Sequence, residues 1–293
     1  HDALPIYGYE WTTENGVYRL IPNGKVAKEI RPVFKEELDF FGFESYWQYP
    51  DTNAPLLWAE GIRRYVLNGE LVAEAIGGGF YTKPTIEVHR HGLALDPIDI
   101  DLLWEANERL MLGLEEVAIR FIRQVHDEYV RRGMRFVVAF SGGKDSLVLL
   151  DLVAKALRPD EFIVIFGNTG MELTATMEAL ERARTHWNRL HFFEAESHLS
   201  PDETWELFGP PGRRLRWCCS VHKSVPTILK LRELTGDRDA KAIVLDGVRK
   251  EESASRATYD FISEGAKNIS QINVSPILNW GTSEIYLDRK SVV

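Results

Sequence analysis

Hydrophobic positions along the chain change their period twice. From Tyr7 to about His91, short runs of β-formers alternate with turn residues at Asn15-Gly16, Pro22-Asn23-Gly24, Asn68-Gly69 and Gly77-Gly78-Gly79. Arg64-Tyr65-Val66-Leu67 and Glu70-Leu71-Val72-Ala73-Glu74 flank Asn68-Gly69, a dipeptide that two-residue hairpins favour because both central residues need positive φ. Trp11, Trp47 and Trp58 are expected to fill a small core there. After Pro97 the period lengthens: Leu103, Ala106, Leu110, Leu114, Val117, Phe121, Val125 and Tyr129 step by three and four, which predicts one long amphipathic helix. Asp99 or Asp101 can cap its start, and Gly133 can end it after Arg131-Arg132, where cations suit a helix C-terminus. Beyond it the pattern predicts strand 135–140, helix 145–157, strand 162–166, helix 174–188, strand 190–194, helix 221–235 and strand 242–246. Such alternation means βαβ units, so the expected fold class is α/β, a doubly wound, mainly parallel sheet preceded by a small β-rich domain.

Composition narrows the class. The 293 residues suffice for about two domains. With 44% hydrophobic and 27% charged residues, 22 Gly and 13 Pro, the chain is neither disordered, collagenous nor of low complexity. No apolar run nears the ~18 residues of a membrane span and no leader opens the chain, so no membrane partner and a cytoplasmic location are expected. A formal net charge of −9 argues against a broad basic surface for nucleic acid and leaves a local basic patch open. The two cysteines, adjacent at Cys218 and Cys219, cannot build a disulfide framework, and a vicinal disulfide closes only with strain; a reducing compartment fits. The chain starts at His1 and stops at Val293 in mid-pattern. HDALPI and DRKSVV read as foreign to the fold, and a natural protein longer at both ends is expected.

Directly after the 135–140 run stand Ser141, Gly142, Gly143, Lys144, Asp145 and Ser146. Paired glycines let the backbone turn tightly and approach a ligand, while free N–H groups and the positive end of the next helix face the same point, so an anion is expected there. Two hydroxyls and the Lys144 charge equip the loop for a polyphosphate. The spacing is not that of a Walker loop. SGGKDS resembles the PP-loop of the adenine-nucleotide α-hydrolase superfamily, ATP pyrophosphatases that hold the β- and γ-phosphates and break the bond at the α-phosphorus. The competing reading is a glycine-rich turn with no ligand.

Three further segments narrow the resemblance. Gly167 to Thr176 is similar to the D-T-G-x-E-x-P-E-T segment of phosphoadenylylsulfate (PAPS) reductase-like proteins. The match places Thr169, Gly170 and Glu172 in a nucleotide pocket, with helix capping by Thr174 as the alternative. Asn168 and Thr174 stand where that family usually has Asp and Pro, which weakens the transfer of any metal role to Asn168. Gly209 to Lys223 resembles the family's G-P-P-x-R-x-x-R-W-C-C segment and gathers Arg213, Arg214, Arg216, His222 and Lys223 around Trp217, Cys218 and Cys219. For the cysteines three readings stay open: a structural pair, a redox or persulfide-carrying thiol, and a partial metal site. An iron–sulfur cluster needs four thiolates, so it is expected only if further cysteines lie beyond the C-terminus. Gly247 to Arg256 resembles G-x-R-x-x-E-S-x-x-R, in which arginines hold the anionic end of the substrate; Arg249 and Arg256 carry over, and surface pairing with Glu251 and Glu252 is the alternative. Ser275 to Tyr286 looks like the family's N-P-[IL]-x-x-W-[ST]-x-x-[DE]-[VI]-W ending.

The resemblance covers about residues 100–287 and implies a Rossmann-like sheet of the α-hydrolase type. It divides the chain into a β-rich accessory domain at 1–95, a connecting helix at 96–133 and a truncated PAPS reductase-like nucleotide domain at 134–287. Ser141, Gly142, Gly143, Ser146, Thr169, Gly170, Glu172 and Gly247 would bind the nucleotide, and Arg213, Arg216, Lys223, Arg249 and Arg256 the substrate anion. Lys144, Asp145, Cys218 and Cys219 would be catalytic, with Asp145 holding Mg²⁺ and mattering for turnover more than for folding. Two activities compete. In one, ATP is cleaved to pyrophosphate and an adenylylated acceptor that then takes sulfur. In the other, adenylylsulfate or PAPS is reduced to sulfite by a thiol. The intact SGGKDS favours the first. The implied partners are an adenine nucleotide and a sulfur donor or thiol reductant, with a nucleic-acid acceptor left open. A non-catalytic nucleotide-sensing subunit is the third reading.

Overall fold

The computed structural model describes residues 9–14, 17–22, 30–61, 63–79, 82–212, 215–253, 255–264 and 271–289. The chain forms two compact units, His1–Leu114 with Asn279–Ser291, and Glu115–Leu278. In the first, β1 (Tyr9–Glu14) pairs antiparallel with β2 (Val17–Pro22). A second sheet is an antiparallel meander of β3 (Ile30–Val33), β4 (Leu57–Glu60), β5 (Arg64–Leu67), β6 (Glu70–Ile76) and β7 (Thr85–Val88). Asn68 (φ 51°) and Gly69 (φ 83°) make the turn between β5 and β6, both with the positive φ that a type I′ turn demands. Helix α1 (Lys35–Phe41) supplies Leu38 to a core shared with Val33, Phe43, Trp47, Leu57 and Tyr65. Trp58 is buried against Tyr18, whereas the side chain of Trp11 lies outside the described residues.

Helix α2 (Ile100–Val130) begins at Asp99, whose Oδ1 accepts the Asp101 and Leu102 N–H groups at 2.9 and 3.1 Å. The turn after it contains Gly133 at φ 70°. Its residues to Leu114 count with the first unit and the rest with the second.

The second unit contains β8 (Arg135–Phe140), α3 (Lys144–Ala156), β9 (Ile163–Asn168), α4 (Thr174–His186), β10 (Phe192–Glu196), α5 (Pro201–Phe208), α6 (Trp217–Cys219), α7 (Val225–Thr235), β11 (Ala242–Leu245), β12 (Ile262–Glu264) and β13 (Gln271–Val274). The strand order is β10-β9-β8-β11-β13-β12, parallel except for β12 at the edge. All four residues of β11 and four of six in β8 are buried, as strands covered on both faces require. The chain steps outward from β8 to β9 and β10, then returns to the other side of β8 at β11. That reversal makes the carboxyl ends of β8 and β11 the topological switch point, the place at which open α/β sheets bind ligands. Helix α8 (Thr282–Arg289) belongs to the first unit, where Ser283 Oγ donates to the Ile30 carbonyl at 2.7 Å. Among the described residues no helix is long and apolar enough to cross a membrane.

Candidate functional site

β8 ends at Phe140, and the chain turns through Ser141, Gly142 and Gly143 into α3. Gly142 has φ +71°, and a Cβ there would lie 3.0 Å from Thr176 Cγ2 and 3.1 Å from the Thr176 carbonyl oxygen, so the position excludes a side chain on two grounds. Gly143 is the N-cap of α3 and brings no side-chain cap, which leaves the first N–H groups of the helix for an anion. Ser146 is buried beneath the loop. Its hydroxyl donates to the Gly143 carbonyl at 2.9 Å and accepts from the Ser141 hydroxyl at 3.1 Å and the Ser141 N–H at 3.3 Å. The two serines therefore clasp the turn from within.

The β11 side of the switch point supplies Arg249, which is only 3% exposed. Its Nε donates to Asp145 Oδ1 at 2.6 Å, while Lys144 Nζ stands 2.9 Å from Asp145 Oδ2, so one carboxylate holds two cations. A guanidinium is rarely so buried unless paired. Gly247 permits the approach: a Cβ there would come within 3.0 Å of the Asp145 carbonyl carbon and oxygen and 3.2 Å of Ser146 N. Glu252 accepts the Arg249 N–H at 2.8 Å and also pairs with Arg256, tying the second arginine to the first.

At the carboxyl end of β9, Thr169 is buried, donates to Glu172 Oε1 at 2.8 Å and accepts the Met171 N–H at 3.3 Å. Gly170, at φ +73°, lies against Pro201, two of whose ring carbons would be 3.3 Å from a Cβ. Pro201 opens α5, which starts with a capping box between Ser200 and Glu203. Thr204 of α5 is fully buried; its hydroxyl donates to the Pro201 carbonyl at 2.8 Å and lies 2.9 Å from His222 Nε2. The Thr204 hydroxyl and His222 Nε2 thus form one buried hydrogen bond that joins α5 to the segment after Cys219.

His222, 1% exposed, lies in a π-helical turn, Ser220–Ser224, that follows α6. Trp217 packs between Phe208 and His222, with ring centroids 5.4 and 6.0 Å away. Cys218 is half-buried and Cys219 exposed, both as free thiols. Successive side chains on a helical turn diverge by about 100°, which leaves the two thiols facing apart. Thr204→Val should lower stability by about 1 to 3 kcal/mol, because it keeps the shape but leaves a buried ring nitrogen of His222 without its partner. A denaturant melt checks this; unchanged stability would mean that packing alone holds His222.

The geometry thus brings Ser141, Gly142, Gly143, Lys144, Asp145, Ser146, Gly247 and Arg249 into direct contact. Thr169, Gly170 and Glu172 form a second group, reached from the cysteine segment through Thr204 and α5. Arg216 and Lys223 are exposed beside the cysteines, and Arg213 lies outside the described residues. Sequence reasoning passes over Thr176, Thr204 and the pairing of Asp145 with Arg249. The Ser200-Pro201-Asp202-Glu203 run was the one legible signal for α5.

Among the described residues no group of three or more His, Cys, Asp or Glu side chains could hold a metal ion, and both oxygens of Asp145 are engaged by cations. The donor set does not fit a resident metal. Mg²⁺ in nucleotide sites is held mainly by water and phosphate oxygens with one or two carboxylates, and a Mg²⁺ of that kind would arrive with a nucleotide as part of the substrate. Cys218 and Cys219 supply two of the four thiolates that an iron–sulfur cluster needs and do not fit one by themselves.

The family described as phosphoadenosine phosphosulfate reductase domain matches residues 135–290. An uncharacterized protein of Methanocaldococcus jannaschii is 34% identical over 206 residues, 69% of this chain and 40% of that protein. An adenosine 5′-phosphosulfate reductase of Halalkalibacterium halodurans is 29% identical over 161 residues, 54% of this chain and 65% of the reductase. The chain spans less than two thirds of either relative. Among solved structures, the phosphate complex of phosphoadenylyl-sulfate reductase from Candida auris superposes with a TM-score of 0.42 at 18% identity, covering 62% of this chain and 86% of that one.

Proposed function

The chain belongs to the phosphoadenosine phosphosulfate reductase domain family, and from that premise we propose that it binds MgATP at Ser141–Ser146 and transfers the adenylyl group, with release of pyrophosphate, in support of sulfur transfer. The observation that carries this reading is the serine clasp at the switch point: an intact SGGKDS turn, an uncapped helix start and the cations Lys144 and Arg249 converge on one place. That set of donors suits the β- and γ-phosphates of a triphosphate. An acceptor nucleophile would attack the α-phosphorus, the bond from that phosphorus to the bridging oxygen would break, and pyrophosphate would leave with the electron pair into the loop's donors. Thr169, Gly170 and Glu172 would wall the nucleotide, and Arg216, Lys223 and Arg256 would meet the anionic end of the acceptor or donor. Cys219, the exposed thiol, is the better placed of the pair to exchange sulfur with a donor.

A second reading, thiol-dependent reduction of adenylylsulfate, draws on the reductase relative. Titration calorimetry separates the two. ATP should bind more tightly than PAPS, and pyrophosphate should accumulate from MgATP once an acceptor is supplied. PAPS binding tenfold tighter, a gap of about 1.4 kcal/mol, would overturn the ATP assignment. ATP binding without turnover under any acceptor would select a nucleotide-sensing role.

A further inference from the structure

Asn168 closes β9 at the rim of the site, in register with Glu196 of β10. Glu194 and Glu196 are two residues apart on a strand and so share a face. The Asn168 amide lies between them, with Nδ2 donating to Glu194 Oε2 at 3.0 Å and to Glu196 Oε1 at 2.8 Å. Its Oδ1 accepts the Gly170 N–H at 3.0 Å. The orientation of the amide is set by its partners, two carboxylates on one side and an N–H on the other. Both amide protons are thereby used, each on a different carboxylate. Arg184 takes the other oxygen of Glu194 at 2.7 Å. Burial alone would push the Glu194 carboxyl up, yet the hydrogen bonds from Arg184 and Asn168 outweigh it and hold the carboxyl below its ordinary value.

We infer that Asn168 is a positioning residue whose neutral amide does between Glu194 and Glu196 what a divalent cation would do, ordering the Thr169–Glu172 turn without metal. Glu194 is half-buried and Glu196 exposed, and two carboxylates brought to one point repel unless a donor or a counter-ion lies between them. An aspartate has the same shape as asparagine, lacks the two protons and adds a third negative charge where Arg184 compensates only one, so the same arrangement would lose both hydrogen bonds and be restored by a cation between the carboxylates. Because Oδ1 also holds Gly170, whose backbone is left-handed and abuts Pro201, the amide links β10 to the turn and the turn to α5. The link from this turn to nucleotide affinity rests on the function proposed above; the cation equivalence does not.

The test compares the parental protein with Asn168→Asp and Asn168→Ala, without nucleotide, in EDTA and in millimolar CaCl₂. Calcium should leave the parental melting temperature unchanged. Asn168→Asp should melt lower in EDTA and regain most of the loss in calcium, whereas Asn168→Ala should melt lower and regain nothing. Should Asn168→Asp fail to fold in EDTA, the double variant Asn168→Asp with Glu196→Gln removes one of the three charges and should fold there and melt with little response to calcium. Parental stability of Asn168→Asp in EDTA, equal behaviour of the Asp and Ala variants in calcium, or a double variant no more stable than the single one would each overturn the inference. For nucleotide, measured in millimolar MgCl₂ with EGTA or with CaCl₂, the ratio of Asn168→Asp to parental Kd for MgATP should exceed tenfold in EGTA and fall below twofold in calcium. If neither protein binds MgATP, the nucleotide reading fails while the melting comparison still decides the role of Asn168. If MgATP binds and the ratio stays near one in EGTA, the amide does not position the turn.

Discussion

Gly142→Ala should weaken ATP binding at least 100-fold and cost about 2 to 5 kcal/mol of folding stability. Two separate costs meet at this position. An L-residue held at φ +71° is strained by roughly 1 to 2 kcal/mol. The added methyl would also press on the Thr176 carbonyl oxygen at 3.1 Å, and overpacking against atoms that cannot rotate away costs typically 1 to 3 kcal/mol. Relief requires the turn to move away from α4, which displaces the N–H groups that would meet phosphate. The neighbouring glycine is the control. At Gly143 the nearest atom to a Cβ is Ser141 Oγ at 3.5 Å, an ordinary contact, so Gly143→Ala should melt close to the parental protein. Isothermal titration with ATP and denaturant melts of both variants check the pair. Parental affinity in Gly142→Ala would mean that the loop is not the phosphate site.

Much of this arrangement was legible locally, and the reasons for the exceptions are physical. The βα alternation from Arg135 to Leu245 was visible because buried parallel strands are continuous apolar runs, and the Asn68-Gly69 hairpin because its turn has a strict φ requirement. The loop was visible because anion binding at a helix start demands glycines and hydroxyls at fixed offsets. Strands β12 and β13 were not predicted. Ile262–Glu264 and Gln271–Val274 are short and mixed in polarity, and become strands only because β11 offers an edge on which β13 pairs. The contact of Asp145 with Arg249 spans 104 residues and exists because β8 and β11 become neighbours, which no local pattern encodes. Asn168 was readable as a departure from the resembled segment, while its carboxylate partners come from the next strand.

Asp145→Asn should lower pyrophosphate release at least 100-fold, tighten ATP binding and cost about 1 to 3 kcal/mol of stability. Read from its place in the first turn of α3 alone, Asp145 would contribute roughly 0.3 to 1 kcal/mol through the helix dipole, and folding would scarcely register its loss. The buried guanidinium of Arg249 raises that figure. Asparagine still offers an oxygen to Arg249 Nε, and Glu251 Oε2 remains 3.4 Å from Nη1, so the buried charge keeps partners. The loss is then that of a charged hydrogen bond, about 1.5 to 3 kcal/mol, and not the 3 to 5 kcal/mol of an orphaned buried ion. Binding and turnover should move in opposite directions. With the carboxylate neutral, Lys144 and Arg249 have one negative charge fewer beside them, which favours binding of a triphosphate. On the proposed reading, a Mg²⁺ entering with the nucleotide would have to draw Asp145 from its cations, and the asparagine could not answer it, which should slow the step in which charge develops on the leaving group. A fall in kcat larger than the fall in KM, so that kcat/KM falls as well, marks a loss of transition-state stabilisation, whereas a purely structural tie would lower the melting temperature with kcat/KM per folded molecule in place. Arg249→Lys supplies the comparison, since it keeps the positive charge but loses the guanidinium fork and so should lose stability without inverting the two constants. Pyrophosphate release at the parental rate in Asp145→Asn would reduce Asp145 to a tie between α3 and the loop after β11, and the chemistry would have to lie with Lys144 and the arginines.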